Sequence, residues 1–198
     1  MQSADKQTSA LSAWLAAGAL AVVVTCQAAT GAESFPIERL DEGGYVVMLR
    51  HATAPGVGDP ENFRLGDCAT QRNLNDEGRA QARRLGERLR AQGIAAAEVY
   101  SSQWCRCLET AALLDLGPVE QLPALNSFFS RPAERAAHLD ALRRFLADLP
   151  EDGPPVILVT HQVTISAITG RGTASGEAIV LAVDGTGRPP VAGTIEPQ

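Results

Sequence analysis

Short unbroken apolar runs alternate along this chain with stretches in which apolar residues recur every three or four positions. The runs Tyr45–Leu49 and Pro155–Thr160 have apolar side chains at nearly every position, the pattern of a strand buried on both faces. Glu98–Ser101, Ala178–Val183 and Val191–Ile195 read as further strands, the last at an edge after a turn at Gly185–Pro190. Between them lie helical segments. Asn75 is a natural helix N-cap with Asp76 and Glu77 behind it, where negative charge complements the helix dipole. The helix it starts puts Ala82, Leu85 and Leu89 on one face, and Gly93 stops it. Trp104–Leu114 and the amphipathic Arg131–Leu149 read as the other helical stretches, and the segment Gln162–Gly170 follows the last of the unbroken runs. Strands alternating with amphipathic helices predict an α/β fold. The stretch Ala52–Arg72, with Pro55, Gly56, Gly58, Pro60 and Gly66, fits neither period, and irregular loops of that length are usually functional.

The N-terminal thirty or so residues have a different pattern. A short polar start containing Lys6 precedes the apolar stretch Leu11–Thr25 and the small-residue cluster Cys26–Ala32. The apolar stretch is shorter than the roughly 20 residues of a spanning helix, so residues 1–32 read as a secretory signal peptide cleaved near 28–32, with residues 33–198 as a single domain. An uncleaved anchor and lipid modification at Cys26 are the rival readings. The expected destination is periplasmic or secreted. Of 198 residues, 45% are hydrophobic and 20% charged, enough for one domain with a sizeable core. The net charge of −6 and pI near 5.1 argue against nucleic acid or an anionic membrane surface as partner, and leave any small anion to a local basic cluster. An exported chain permits disulfides. Cys105 and Cys107 are too close in sequence to pair easily on a helix, which leaves Cys68 bridging to Cys105 or Cys107. The Cys-x-Cys spacing lacks the second ligand pair of a zinc site.

The candidate chemistry lies at strand ends. Tyr45–Leu49 runs into Arg50-His51; Glu98–Ser101 runs into Ser102 and a helix whose first turn contains Arg106; Pro155–Thr160 runs into His161. A guanidinium binds phosphate oxygens while an imidazole nitrogen attacks phosphorus. In sheets rich in parallel strands, ligands bind beyond the carboxyl ends, so Arg50, His51, Arg106 and His161 are expected to surround one anion. The helix start at Arg106 should add backbone N–H groups to it. His138, the third histidine, falls inside an amphipathic segment and reads as a surface residue.

These stretches resemble the histidine phosphatase superfamily, which includes the phosphoglycerate mutases. LRHATAPG is similar to its Arg-His-Gly signature, SSQWCRCLETA to its serine-then-arginine helix, VTHQ to its second histidine motif, and RNLNDEGRAQARRLGERL to its first long helix. The resemblance spans Tyr45 to Leu181. It implies a three-layer α/β/α sandwich with a mostly parallel central sheet, and a phosphatase that needs no cofactor or metal and acts on a small phosphorylated substrate. His51 would be the nucleophile, forming a phosphohistidine; Arg50, Arg106 and His161 would bind and polarise the phosphoryl group, and Thr53 could add a hydroxyl. Two positions depart from the pattern. Ala52 stands where the signature has glycine, tolerable if its φ is negative. Gln162 follows the second histidine where some members have an acid, and it cannot release a proton. Asn126 and Ser127 stand where others have a glutamate. Glu134, Asp59, Glu61 and Asp67 are the nearby acids, and the proton donor is unknown at this level. Arg64 and Arg72 could reach a second anionic group, with Phe128-Phe129 at the pocket mouth. A non-catalytic phosphate-binding module and a phosphomutase are the alternative functions. Substrate and oligomeric state are left open.

Overall fold

Apolar runs too short for helices become the middle of a six-stranded sheet. The computed structural model describes residues 33–197; the signal segment expected at 1–32 lies outside them. A 3-10 turn at Ile37–Glu42 leads into β1 (Tyr45–Arg50). There follow α1 (Asp76–Ala91), β2 (Glu98–Ser101), α2 (Cys105–Leu114), β3 (Val119–Gln121), α3 (Arg135–Ala147), β4 (Val156–Thr160), α4 (Gln162–Thr169), β5 (Ala178–Ala182) and β6 (Val191–Ile195). The strand order is β3-β2-β4-β1-β5-β6. β1 pairs parallel with β4, as β2 does with β4 and β3, while β5 runs antiparallel to β1 and β6. The sheet is therefore mostly parallel, as expected.

Alternation along the strands splits the core into two layers. Val47 and Leu49 of β1 pack with Leu85 and Leu89 of α1 and Ala111 and Leu114 of α2. Val46 and Met48 face the other way, onto Leu142 and Leu146 of α3 and Ile165 of α4. A strand flanked by helices on both faces needs apolar side chains at consecutive positions, which is why β1 and β4 read as unbroken runs. Asn75 caps α1 through its side-chain oxygen, which accepts the Gly78 amide at 2.8 Å. Gly78 is also a packing requirement: a Cβ there would lie 2.0 Å from the Thr53 carbonyl oxygen. That close approach presses α1 against the chain leaving β1. The third helical stretch starts later than its sequence pattern, with a 3-10 turn at Pro132–Glu134 taking up its beginning.

The parallel pairing sets up the site. Arg50 lies opposite Thr160 in the β1–β4 register, so His51 and His161 leave neighbouring strands side by side. The ladder continues past the strands, with the His51 amide on the Thr160 carbonyl at 3.0 Å and the Ser102 amide on Val159 at 2.9 Å. Groups held on extended sheet backbone are positioned more tightly than groups on free loops.

Candidate active site

A cavity of about 610 Å³ opens over the carboxyl ends of β1, β2 and β4, lined on its floor by Arg50, His51, Arg72, Arg106 and His161. The two imidazoles lie 5.6 Å apart, centroid to centroid, nearly edge to face. His51 is buried, and its Nδ1 is 2.8 Å from the Ala52 carbonyl oxygen. A carbonyl only accepts, so Nδ1 carries the proton and Nε2 is left with its lone pair. Burial, with Arg106, Arg72 and Arg50 close by, pushes the His51 pKa down to about 3 against the partial support of the Ala52 carbonyl. The ring is neutral at pH 7.

His161 is tied the other way round. Its Nε2 is 2.9 Å from the Ser102 hydroxyl, which is 3.2 Å from Asn126 Oδ1. Arg106 Nη2 lies 3.5 Å from Nδ1. A guanidinium can only donate, so Nδ1 accepts, Nε2–H donates to Ser102, and Ser102 donates to Asn126. Burial first, then Arg106 and His51, holds its pKa well below the ordinary histidine value. His161 enters the site as a neutral ring.

The guanidinium groups carry the positive charge. Arg50 donates from Nη1 to the Thr173 carbonyl at 2.6 Å, and Arg106 makes a paired contact with Asp59, Nη1–Oδ1 2.7 Å and Nη2–Oδ2 3.3 Å. The Nε atoms of both arginines are buried donors without a hydrogen-bond partner, an unusual state for such groups. Both side chains line the cavity, where guanidinium groups suit an oxyanion. The amides ahead of Arg106 are used internally: Gln103 donates to Asn126 and Cys105 to Gln71. An anion would meet the guanidinium groups rather than these amides.

Residues 46–136 match the model of the histidine phosphatase superfamily (branch 1). The matched stretch takes in Arg50, His51 and Arg106. A candidate phosphohistidine phosphatase SixA from Nakamurella multipartitia is similar in structure, with TM-score 0.56, 22% identity, and coverage of 77% of this chain and 95% of that one. A candidate alpha-ribazole-5'-P phosphatase from Escherichia coli K-12 gives TM-score 0.55 at 18% identity, covering 76% and 95%. The protein histidine phosphatase SixA in complex with tungstate gives 0.52 at 15%, covering 77% and 96%. At these identities the likeness is one of fold. Sequence comparison with curated proteins gives no match.

The chain departs from the Arg-His-Gly signature at Ala52, and the backbone accommodates it. Among the described residues Asp115 is the one non-glycine with positive φ, so Ala52 has an ordinary conformation; its amide donates to Thr110 at 3.0 Å. Thr53 does not line the cavity. Its hydroxyl donates to Gln81 Oε1 at 3.2 Å and its amide to the same atom at 3.0 Å. Gln81 in turn donates to the Ser175 carbonyl, joining the chain after β1 to the one before β5.

The loop Ala52–Arg72 forms one cavity wall. Arg72 clasps it from inside, donating from Nε to the Gly58 carbonyl at 2.8 Å and from Nη1 to the Ala54 carbonyl. Arg64 instead points to solvent and pairs with Asp67 at 2.8 Å. A disulfide joins Cys68 to Cys105, with Cα atoms 5.7 Å apart, and clips the loop to the helix that carries Arg106. Cys107 is free and buried, its thiol pushed up to about 12 by burial. Phe128, partly covered by Arg135, and the exposed Phe129 lie on the opposite wall with Ser127 and Gln162. Glu134 and His138 are outside the cavity, 3.9 Å from each other on the outer helix, and His138 is partly buried rather than a surface group. Sequence marks Asp59 as one nearby acid among four, Asn126 as standing in place of a glutamate and Ser102 as part of the serine-then-arginine stretch, but gives no signal for the bonds that join them to Arg106 and His161. Among the described residues no three His, Cys, Asp or Glu side chains cluster as metal ligands, and no helix is long and apolar enough to cross a membrane.

Proposed function

We propose that this protein is a phosphomonoester hydrolase that works through a phosphohistidine on His51. The observation that carries the reading is the state of His51: a neutral ring whose proton is fixed on Nδ1 by the Ala52 carbonyl, leaving Nε2 as an electron-pair donor beside three guanidinium groups. Nε2 attacks phosphorus, the P–O bond to the leaving group breaks, and water then releases phosphate from the ring. Arg50 and Arg106, which line the cavity floor, hold the equatorial oxygens. Arg72 adds charge, and His161, steadied by Ser102, accepts from Arg106 at Nδ1 and helps to place that guanidinium. Guanidinium groups supply the neutralisation that a divalent cation supplies in other phosphoryl-transfer sites, so the reaction proceeds in a chelator. The Cys68–Cys105 disulfide supports export to an oxidising compartment.

The test is a panel of phosphomonoesters assayed with and without EDTA on wild type and His51→Ala. Phosphate release that survives EDTA and is lost in the variant supports the reading. Ligand binding without turnover in either protein would make the chain a phosphate-binding module instead. N-terminal sequencing of the protein from fractionated cells tests export: a start near residue 29 or 33 in the exported fraction is the expected result.

A further inference from the structure

Asp59 is the one carboxylate among the described residues that line the cavity. It stands in the irregular loop between Gly58 and Pro60, and its side chain is held by four donors. Arg106 reaches both oxygens, the Trp104 indole N–H donates to Oδ2 at 3.0 Å, and the Arg72 amide donates to Oδ1 at 3.1 Å. A carboxylate laid across Nη1 and Nη2 of a guanidinium occupies the donors that two phosphoryl oxygens would use. Substrate and Asp59 therefore compete for one fork. The arginine cannot serve both in this geometry, and Arg106 Nε alone is unpartnered.

We propose that the phosphoryl group displaces Asp59 from Arg106 and that the displaced Asp59, protonated by the exchange, is the general acid for the leaving oxygen. The inference rests on the phosphohistidine reading of His51 and supplies the acid that Gln162, Asn126 and Ser127 do not. The exchange is a rotation of the side chain, since the Arg72 guanidinium clasps the backbone ahead of Asp59 at Ala54 and Gly58.

The proton balance closes. A phosphomonoester monoanion gives its proton to the Asp59 carboxylate as its own oxygens take the Arg106 donors. When His51 Nε2 bonds to phosphorus, the leaving oxygen departs with the proton of Asp59, which becomes a carboxylate again. In the second half, that carboxylate takes a proton from the attacking water as the P–N bond breaks, then passes it to the departing phosphate, which leaves as the monoanion and restores the Asp59 carboxylate. The electrostatics run the same way. Burial alone would raise the Asp59 pKa, and the bonds from Arg106, then Trp104 and the Arg72 amide, outweigh it and keep the group ionised. Removing Arg106 from that balance and bringing a phosphate anion beside it both favour the protonated form. The charged and titratable groups that line the same cavity are Arg72 from the loop, Arg106 from α2, Arg135 from α3, Arg50 and the neutral His51 from β1's end and the neutral His161 from β4's end.

The experiment compares wild type with Asp59→Asn and Asp59→Glu on an alkyl phosphate and on p-nitrophenyl phosphate, whose leaving group needs little protonation. Asp59→Asn should lose on the order of 10²-fold or more in kcat on the alkyl substrate, the usual range for a general acid, and less than about 5-fold on the aryl one. Asp59→Glu should recover part of the alkyl loss. Inorganic phosphate, measured by titration calorimetry, should bind Asp59→Asn several-fold more tightly, since the internal competitor loses its charge. Equal losses on both substrates, or weaker phosphate binding, would overturn the proposal and leave Asp59 as a residue that positions Arg106. Failure of the underlying reading looks different: wild type itself would give no acid-labile phosphoenzyme on rapid quench.

Discussion

The carboxyl ends of β1 and β4 are neighbours in the same parallel ladder, and each delivers a histidine into one cavity, yet the two rings are wired in opposite senses. His51 has its Nδ1 proton on a backbone carbonyl one residue away; His161 has Nε2 on a hydroxyl from β2's end and Nδ1 toward a guanidinium. The residue type is the same at both ends. What differs is the partner atom, and the partner decides which nitrogen has an electron pair to give and what stands in front of it. Nε2 of His51 is unoccupied by any donor, whereas Nδ1 of His161 faces Arg106. One strand end is built to attack and the other to hold.

The most direct way to break that comparison is to delete each ring. His51→Ala should lose at least on the order of 10⁴-fold in turnover, as expected when a nucleophile is removed, together with all acid-labile label from a radioactive phosphomonoester. His161→Ala should lose less, on the order of 10 to 10²-fold, the cost of leaving Arg106 and Ser102 without the ring they bond, while label still accumulates on His51. Label that persists in His51→Ala and vanishes in His161→Ala would reverse the assignment.

A second comparison sets these rigid strand ends against the loop wall opposite. The wall has no sheet ladder and relies on the Cys68–Cys105 bridge. Replacing both cysteines with alanine should lower the unfolding free energy by about 4 kcal/mol, the chain-entropy value for a bridge of sequence separation 37, as read from urea denaturation. Turnover at a temperature where the variant is folded should change less than in either histidine variant. A larger loss of turnover than of stability would mean that the loop, rather than the strand ends, sets the geometry.

What could be read from sequence follows the same division. The strands of the ladder were legible because a doubly covered strand must be apolar at consecutive positions, and Arg50, His51 and His161 were legible because they interrupt such runs. The Asn75 cap was legible because its chemistry is local. β3 was not, since Val119–Gln121 is three residues at the sheet edge with two exposed polar side chains. The choice of Cys105 over Cys107 depends on helix phase: Cys105 faces the loop, while Cys107 Sγ lies 3.6 Å from the Thr160 carbonyl. Thr53 was a candidate phosphate ligand by its distance along the chain from His51, but a loop residue's direction is set by tertiary partners, here Gln81. Asp59 lies in a stretch with no periodicity, and its position on Arg106 depends on contacts 47 residues apart.

The comparison sharpens further at Ser102, which touches one ring and not the other. Ser102→Ala removes the acceptor of the His161 Nε2–H and should lower turnover roughly tenfold, the lower end of the cost of leaving a buried donor unpaired. Ser102→Thr, which keeps the hydroxyl, should restore most of it. In a His161→Ala background the serine substitution should be nearly silent. Equal losses in both backgrounds would show that the hydroxyl acts on something other than His161.

The last comparison concerns protons. Both rings are held neutral in the folded protein, His51 with a pKa of about 3 and His161 well below the ordinary value, chiefly by burial. In the unfolded chain each returns to about 6.5. Between that value and the folded one the unfolded state binds more protons, so stability falls as pH is lowered through the window and is constant above it. Each histidine contributes a slope of about 1.4 kcal/mol per pH unit where it is fully protonated in one state only. Urea midpoints at pH 7, 6 and 5 should therefore drop for wild type and drop less steeply for His51→Ala and for His161→Ala. Asp59, whose folded pKa is depressed, adds its own loss only at lower pH, as the carboxylate that pairs with Arg106 is protonated. If deleting one ring flattens the slope and deleting the other does not, only the first is held neutral, and the two strand ends differ in charge as well as in hydrogen bonding.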